Sequence, residues 1–191
     1  ELASGIGVVV PAAGQGGVMS DDHTTEPRVA VVTGAGSGIG RAAALALARD
    51  GFCVVAADLN EDAARACAAE INAAGEWAPG ERAIAVRVDV TDEDQCVAMV
   101  AAACERWGRL DAAFNNAGMP GYPLLTTEHS LDQWRHVLDV NLTGVFNCVR
   151  AEMPALKRAG GGAIVNTASI MGLRGAYGGS AYCASKHGVI G

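Results

Sequence analysis

The sequence predicts an α/β fold, in which a doubly wound parallel sheet lies between two layers of helices (α/β/α). From Arg28 onward, apolar runs rich in valine and isoleucine alternate with longer alanine-rich runs, a pattern typical of parallel strands and their crossover helices. A glycine-rich turn joins the first strand to the first helix, and an acidic residue ends the second strand. The chain has 191 residues with 50% hydrophobic content, which is enough for one sizeable core and one domain.

The alternation predicts where each element lies. Strands are expected near residues 28–33, 52–57, 82–88, 111–115 and 162–167. Helices are expected near residues 39–50, 61–74, 93–107, 131–158 and from 179 to the end. Asp92 is a candidate N-cap of the third helix, and residues 76–81 read as a surface loop.

The turn after the first strand predicts a pyrophosphate site. Residues 29–33 read as a buried strand and residues 41–49 as a helix, with the glycines between them. Backbone without side chains lets a pyrophosphate approach the helix N-terminus, whose free N–H groups and dipole favour an anion. The residues expected at this site are Gly34, Ser37, Gly38, Ile39 and Gly40. A tight turn that binds no ligand is the alternative interpretation.

The second strand ends at Asp58, 18 residues past Gly40. At this distance a carboxylate can accept hydrogen bonds from both ribose hydroxyls of an adenosine. The succession of strand, glycines, helix, second strand and acid therefore favours a bound dinucleotide over a turn without a ligand.

A tyrosine and a lysine near the carboxyl end predict acid–base chemistry. Tyr182 and Lys186 stand four residues apart, so a helix places both on one face, and Ser169 precedes Tyr182 by 13 residues. The lysine ammonium can stabilise a tyrosinate near neutral pH. Surface helices often carry such a pair without a catalytic role, so its weight comes from the glycine turn earlier in the chain.

These motifs together resemble the short-chain dehydrogenase/reductase family over residues 28–191. The matching segments are Thr33 to Gly40, Asp89 and Val90, Asn115 to Gly118, Asn141, Ser169, Tyr182 and Lys186. The glycine spacing differs from the Gly-x-x-Gly of extended, epimerase-type relatives, and enoyl-reductase relatives place their lysine further from the tyrosine. The resemblance implies a Rossmann-like NAD(P)-binding domain over residues 28–191.

The resemblance also implies cofactor contacts at the carboxyl ends of the strands. Beyond the glycine turn and Asp58, the implied residues are Leu59, Asp89, Val90, Asn116, Ala117, Gly118, Tyr182 and Lys186. In the family, the acid at Asp89 bonds the adenine amino group, and the backbone of the Asn-Asn-Ala-Gly segment lines the nicotinamide-side ribose. For the Asn115 side chain, fixing the central sheet is as consistent with the sequence as contacting a ligand.

A catalytic tetrad of Asn141, Ser169, Tyr182 and Lys186 is implied as well. Asparagine is unfavourable inside a helix, which suggests a purpose for Asn141, although a merely polar helix residue is the alternative. In the family, a kink here lets a main-chain carbonyl hold a water linked to the lysine. Tyr182 would be the general acid and base, Ser169 would bond the reacting oxygen, and Lys186 would hold the nicotinamide ribose. The implied reaction interconverts a small secondary alcohol and a ketone by hydride transfer with NAD(P).

NAD is expected rather than NADP, which is the alternative. Asp58 would repel a 2′-phosphate, and Ser37 and Leu59 stand where NADP-using relatives often carry a basic residue. Arg41 is close to the glycine turn but is expected to point along the first helix.

Composition argues against several other classes. The 14 basic and 21 acidic residues give a net charge of -7 without a basic stripe, so a nucleic-acid partner is not expected. The six cysteines lie in apolar segments without metal-ligand spacing, which indicates buried thiols in a reducing cytoplasm rather than a metal site or disulfides. A membrane span is not expected either, because the apolar run 6–10 is too short.

The two ends carry expectations of their own. Residues 1–27 are expected to be a disordered extension, with Met19 as the natural start and residues 1–18 dispensable. The chain stops at Gly191, in mid-helix by the resemblance, without the family's last strands and substrate lid. An inactive truncated fragment or a non-catalytic dinucleotide-binding protein is therefore the alternative to an active enzyme. The full-length protein is expected to form homodimers or homotetramers through its fourth and fifth helices.

Overall fold

The computed structural model describes residues 6–10, 27–74 and 81–191. The strands in these ranges are β1 (Ile6–Val10), β2 (Val29–Thr33), β3 (Cys53–Asp58), β4 (Ala83–Arg87), β5 (Ala112–Asn115) and β6 (Gly162–Asn166). The helices are α1 (Gly38–Arg49), α2 (Glu61–Ala73), α3 (Glu93–Trp107), α4 (Leu131–Leu138), α5 (Gly144–Arg158) and α6 (Ser180–Ile190). A π turn (Asp139–Thr143) joins α4 to α5, and a 3₁₀ turn (Ile170–Gly172) follows β6.

Five of these strands are parallel, which confirms the predicted doubly wound sheet. The strand order is β1-β6-β5-β2-β3-β4. Strand β2 pairs in parallel with both β3 and β5, so the chain moves from one side of β2 to the other after β4. Such a reversal opens a crevice at the carboxyl ends of the two central strands.

Helices cover both faces of the sheet. Successive residues of a strand point to opposite faces. Val31 packs in one core cluster with Met99 of α3 and Leu156 of α5, whereas Val32 packs in a second cluster with Cys67 of α2. Because both faces are covered, β2 is buried along its whole length, which explains its continuous apolar run in the sequence.

Local side chains fix where the helices begin. The Asn60 side chain accepts a hydrogen bond from a backbone N–H in the first turn of α2. Asp92 does the same at α3, which confirms the predicted N-cap. Ser130 and Gln133 form a capping box at the start of α4. These caps set the entry points of the helices that approach the crevice from the carboxyl ends of the strands.

The amino-terminal segment differs from its prediction. Ile6–Val10 form β1, which runs antiparallel to β6 with Ile6 opposite Asn166 and Val10 opposite Gly162. The expectation of disorder is therefore wrong for these five residues. Their β-branched run suits a strand, and the outer edge of β6 offers backbone groups for pairing. The rest of the predicted extension up to residue 26, including Met19, lies outside the described residues.

Candidate active site

A cleft of about 660 Å³ lies at the carboxyl edge of the sheet. The predicted residues on its walls are Gly34, Ser37, Gly38, Ile39, Asp58, Leu59, Asp89, Val90, Asn116, Ala117 and Gly118. Thr33, Met119, His136 and Val140 also line it, and the sequence did not single them out as site residues. The structure thus brings most of the predicted cofactor contacts to one crevice.

The glycine turn forms the floor of one end of this cleft. Gly34 and Gly38 have φ angles of 67° and 51°, a left-handed conformation that glycine adopts without strain. Gly40 is not on the cleft wall: it packs beneath the turn, where a Cβ would lie 2.1 Å from the Gly34 carbonyl oxygen. Ser37 is the N-cap of α1 but its side chain makes no capping hydrogen bond. The turn therefore has the shape and the helix N-terminus that a pyrophosphate requires.

Asp58 is fixed by backbone groups on two sides. Its Oδ2 accepts a hydrogen bond from the Gly36 N–H at 2.8 Å, and its Oδ1 accepts one from the Asn60 N–H at 2.9 Å. Each oxygen retains a lone pair for a ribose hydroxyl. Arg41, the basic residue nearest the turn in sequence, forms an ion pair with Glu70 of α2. Its charge is thus offset by a carboxylate, and Arg41 does not line the cleft.

Asp89 already bonds within its own turn. Its Oδ1 accepts from the Thr91 N–H at 3.0 Å and from the Thr91 hydroxyl at 2.7 Å. Its backbone N–H donates to the Gln95 side chain at 3.0 Å. These bonds hold the carboxyl group at the cleft wall. The described side-chain bonds of Asp89 use Oδ1, so Oδ2 can accept from an incoming donor.

Thr33 holds the two central strands together at the cleft. Its hydroxyl oxygen accepts from the backbone N–H groups of Asn116 and Ala117 at 3.0 and 3.1 Å. The Asn115 side chain, in contrast, points into the core and donates to Glu152 and Asn166, both at 3.0 Å. The sequence left two roles open for the Asn115 side chain, fixing the central sheet or contacting a ligand. These bonds give it the first role.

Tyr182 and Lys186 lie on one face of α6, as their spacing predicts. The Lys186 Nζ is 5.7 Å from the centroid of the Tyr182 ring and donates to the Thr167 carbonyl at 2.8 Å. Burial lowers the pKa of Lys186, whose side chain is enclosed between α6 and the end of β6. Ser169 precedes the 3₁₀ turn, and its Oγ accepts from the Met171 N–H at 3.2 Å.

Asn141 is fully buried in the π turn, where it clamps the loop after β5. Its Oδ1 accepts from the Met119 N–H at 2.8 Å, and its Nδ2 donates to the Met119 carbonyl at 2.9 Å. The same amide donates to the Ser185 hydroxyl at 3.4 Å, and that hydroxyl donates to the Tyr182 carbonyl at 2.7 Å. The local irregularity predicted at Asn141 is present, and its side chain ties the cleft loop to α6.

The cleft and the Tyr-Lys pair meet at Gly118. A Cβ at Gly118 would lie 3.1 Å from the Asn141 Oδ1 and 3.8 Å from the Lys186 Nζ. One at Gly121 would lie 3.4 Å from the Tyr182 Cβ. Gly118 lines the cleft, so the Lys186 amine lies close to the cleft wall, and Tyr182 packs against the same loop at Gly121.

A doubly wound sheet with a glycine turn at its switch point places the chain among the Rossmann-like α/β proteins. The family model described as short chain dehydrogenase matches residues 28–191. The chain belongs to this family.

Named relatives agree with that assignment. A cyclohexanol dehydrogenase from Acinetobacter sp. (strain SE19) is 47% identical over 164 residues, which cover 86% of this chain and 63% of that protein. A solved short chain dehydrogenase/reductase from Burkholderia phymatum in complex with NAD superposes with a TM-score of 0.80 and 39% identity, over 86% of this chain and 57% of that one. A solved actinorhodin polyketide ketoreductase variant with NADPH gives a TM-score of 0.79 and 38% identity, over 86% and 61%. The chain therefore spans less than two thirds of the length of each of them.

Within residues 6–10, 27–74 and 81–191, none of the helices has the length and apolar character needed to cross a bilayer.

Proposed function

We propose that this chain interconverts a secondary alcohol and a ketone with a nicotinamide dinucleotide, with Tyr182 as general acid and base. The observation that carries the proposal is the convergence at Gly118. This residue lines the cleft above the glycine turn and also approaches the Lys186 amine, so a dinucleotide along the cleft would end beside Tyr182. When bound there, the nicotinamide would accept or donate the hydride.

The side chains around Tyr182 divide the remaining tasks. In the oxidative direction, the Tyr182 phenolate removes the proton of the substrate hydroxyl. The Ser169 oxygen accepts from the Met171 N–H, so its own hydrogen is free to bond the reacting oxygen, where charge changes during the reaction. Lys186 presents a cation to the phenol and, by the same proposal, holds the nicotinamide ribose. Asn141 secures the loop on which Gly118 lies, and its main chain would hold the relay water.

NAD is the proposed cofactor in preference to NADP. The Asp58 carboxylate is held in place by two backbone N–H groups, so it cannot easily turn away from a 2′-phosphate. Arg41, the nearest candidate to bind that phosphate, is paired with Glu70. The two solved relatives carry NAD in one case and NADPH in the other, so the preference rests on these residues.

The proposed substrate is a small, uncharged alicyclic secondary alcohol or the matching ketone. Ile170 follows Ser169 directly, Leu173 comes three residues later, and the two are 52% and 64% exposed, which gives the reacting end an apolar border. Such a border suits a hydrocarbon ring. One relative, 47% identical over the shared region, is named cyclohexanol dehydrogenase, and cyclohexanol is a ring alcohol of this kind.

The phenol is tested by Tyr182→Phe. Turnover of a cyclohexanol and cyclohexanone panel should fall by at least about 100-fold, while the Kd for NADH should stay within about twofold, because the hydroxyl acts on the substrate proton. Fluorescence titration gives the Kd, and initial rates give the turnover. Tyr177→Phe is the control, since that tyrosine is 92% exposed and has no proposed role.

Three outcomes separate the proposal from its rivals. A Tyr182→Phe protein that keeps most of the wild-type rate would refute the assignment of the phenol. Wild-type NADH binding without any turnover would favour a non-catalytic or incomplete dinucleotide-binding protein. Absence of NADH binding would refute the proposed function altogether. We further propose that the full-length protein is a homodimer or homotetramer, which sedimentation velocity would test.

A further inference from the structure

The turn after β4 is held from behind by a side chain of α5. The Asn147 Nδ2 donates to the Val90 carbonyl at 3.0 Å and to the Thr91 carbonyl at 3.5 Å. Asn147 and Val90 are both buried, so the Val90 carbonyl has little access to water as a replacement donor. Val90 and Asp89 of this turn form the wall of the cleft where the adenine would lie.

Two further contacts are made to the same turn, one by the backbone of α5 and one by a side chain of α3. A Cβ at Gly144, one turn of α5 before Asn147, would lie 2.6 Å from the Val90 Cγ2, so the helix backbone touches the Val90 side chain. The Cys96 thiol of α3 donates to the Val90 carbonyl at 3.6 Å. The position of Val90 is therefore set by α5 and α3 together, and in residues 6–10, 27–74 and 81–191 only Asn147 bonds both carbonyls of the turn with its side chain.

The same helical unit also reaches the reacting end of the cleft. Asn141, in the π turn that leads into α5, clamps Met119 and bonds Ser185 of α6. One continuous stretch of helix thus fixes the adenine wall through Asn147 and the loop that carries Gly118 and Met119 through Asn141. A change at Asn147 alone acts on the turn after β4, which forms the adenine wall.

We propose that Asn147 is a positioning residue for the cofactor, which shapes the adenine wall by fixing the Val90 and Thr91 carbonyls. The inference rests on the proposed function, because it requires a dinucleotide in the cleft. Loss of the Asn147 amide would let the turn move, and the cofactor would bind more weakly. The chemical step would be unaffected, because the described hydrogen bonds of the Asn147 side chain go to the turn after β4 and not to Ser169, Tyr182 or Lys186.

The chain offers a matched control in Asn72, which holds the opposite end of β4. Its Oδ1 accepts from the N–H groups of Arg82 and Ala83 at 2.8 and 2.9 Å, and its Nδ2 donates to the Ala83 carbonyl at 2.9 Å. Asn72 is thus also a helix asparagine that bonds the backbone beside β4, but at the end away from the cleft. If Asn147 had only a structural role, changes at the two asparagines would have the same consequences.

The experiment compares Asn147→Ala, Asn147→Asp and Asn72→Ala. Titration of NADH and of ADP-ribose gives the Kd values, thermal unfolding gives the Tm, and initial rates give KM and kcat. For Asn147→Ala we expect the Kd of both ligands and the KM for the cofactor to rise about tenfold with kcat within about twofold. Asn147→Asp keeps the shape but turns an acceptor toward two carbonyls, so it should bind at least as weakly as the alanine variant.

Asn72→Ala should lower the Tm and leave both Kd values unchanged. Gly144→Ala places a methyl group against the Val90 side chain and does not lower helix propensity, so it should also raise both Kd values. This variant provides a second test of the inference if the Asn147 variants fail to fold. Asn147→Asp binding like the wild type, or Asn72→Ala weakening binding as much as Asn147→Ala, would overturn the inference alone. A wild-type protein that binds neither ligand would overturn the proposed function and this inference with it.

Discussion

Glu152 is an acid buried in the core behind the carboxyl end of β5. Its Oε2 accepts from the Asn115 side chain at 3.0 Å, and Asn115 donates in turn to Asn166 of β6. Burial raises the pKa of Glu152 to about 7, against a smaller lowering by the Asn115 hydrogen bond. The acid that anchors the ends of β5 and β6 therefore changes its charge near neutral pH.

This pKa makes the stability of the fold depend on pH. The unfolded glutamate has a pKa of 4.5, so the unfolded chain releases the proton at a lower pH than the folded chain does. The stabilising contribution of neutral Glu152 is fully present below that value and is lost as pH rises through about 7. Glu152→Gln is neutral throughout, so its unfolding free energy relative to the wild type should rise by about 3 kcal/mol between about pH 5 and about pH 8.

Urea denaturation at a series of pH values measures this difference. Glu105→Gln, at an exposed position of α3, is the control and should show no comparable change. Stability curves for the wild type and Glu152→Gln that run parallel across this pH range would show that the buried acid does not titrate there.

Asp58 should set the cofactor preference. Asp58→Asn removes the charge that repels a 2′-phosphate but keeps an oxygen that can accept from the Gly36 or Asn60 N–H. We expect the ratio of the NADPH Kd to the NADH Kd to fall about tenfold. Asp62→Asn, which removes an equal charge from a side chain that is 94% exposed, is the control. An unchanged ratio in Asp58→Asn would remove the basis for the NAD preference.

At the scale of elements, the π turn between α4 and α5 gives Asn141 its role. Turns of this kind interrupt α-helices frequently at functional sites. The interruption accompanies the inward placement of the Asn141 side chain, which satisfies both backbone groups of Met119 instead of the groups of its own helix. The loop that carries Gly118 is thereby fixed to the helix.

Asn141→Ala should loosen that loop. It leaves the Met119 N–H and carbonyl without their partner in a partly buried setting, so the unfolding free energy should fall by about 1–3 kcal/mol. Turnover should fall more than NADH affinity does, because the loop borders the Lys186 end of the cleft. Urea denaturation and initial rates measure the two effects. Asn60→Ala, which removes an exposed helix cap, should lower stability without affecting turnover.

The sequence located the parallel strands and most helices closely, because each carries a local signal. Apolar runs marked the strands, and cap residues such as Asp92 marked the helix starts. The π turn was foreseen only as a misfit at Asn141, since its form depends on what the side chain contacts. Strand β1 was missed because its pairing depends on the edge of a strand more than 150 residues away in sequence.

Over the whole molecule, the residues of the candidate site were more predictable from the sequence than the hydrogen bonds that hold them. The spacing of glycines and acids indicated most of the residues that line the cleft, and the spacing of Tyr182 and Lys186 indicated that they share one face of α6. The Thr33 clamp on Asn116, 83 residues away, and the bridge from Asn141 to Ser185 could not be read from spacing, because folding alone brings these residues together. Gly40 was expected at the ligand but packs beneath the turn, since the glycine spacing does not distinguish these two uses.

Strand β1 also covers backbone groups at one edge of the described sheet. It pairs with β6 on the side away from β5, so a variant that lacks Ile6–Val10 would leave the outward N–H and C=O groups of β6 without these partners. Unpaired backbone at a strand edge can bond to another molecule, which is how such edges lead to aggregation. The pairing of β1 would then protect this edge from other molecules.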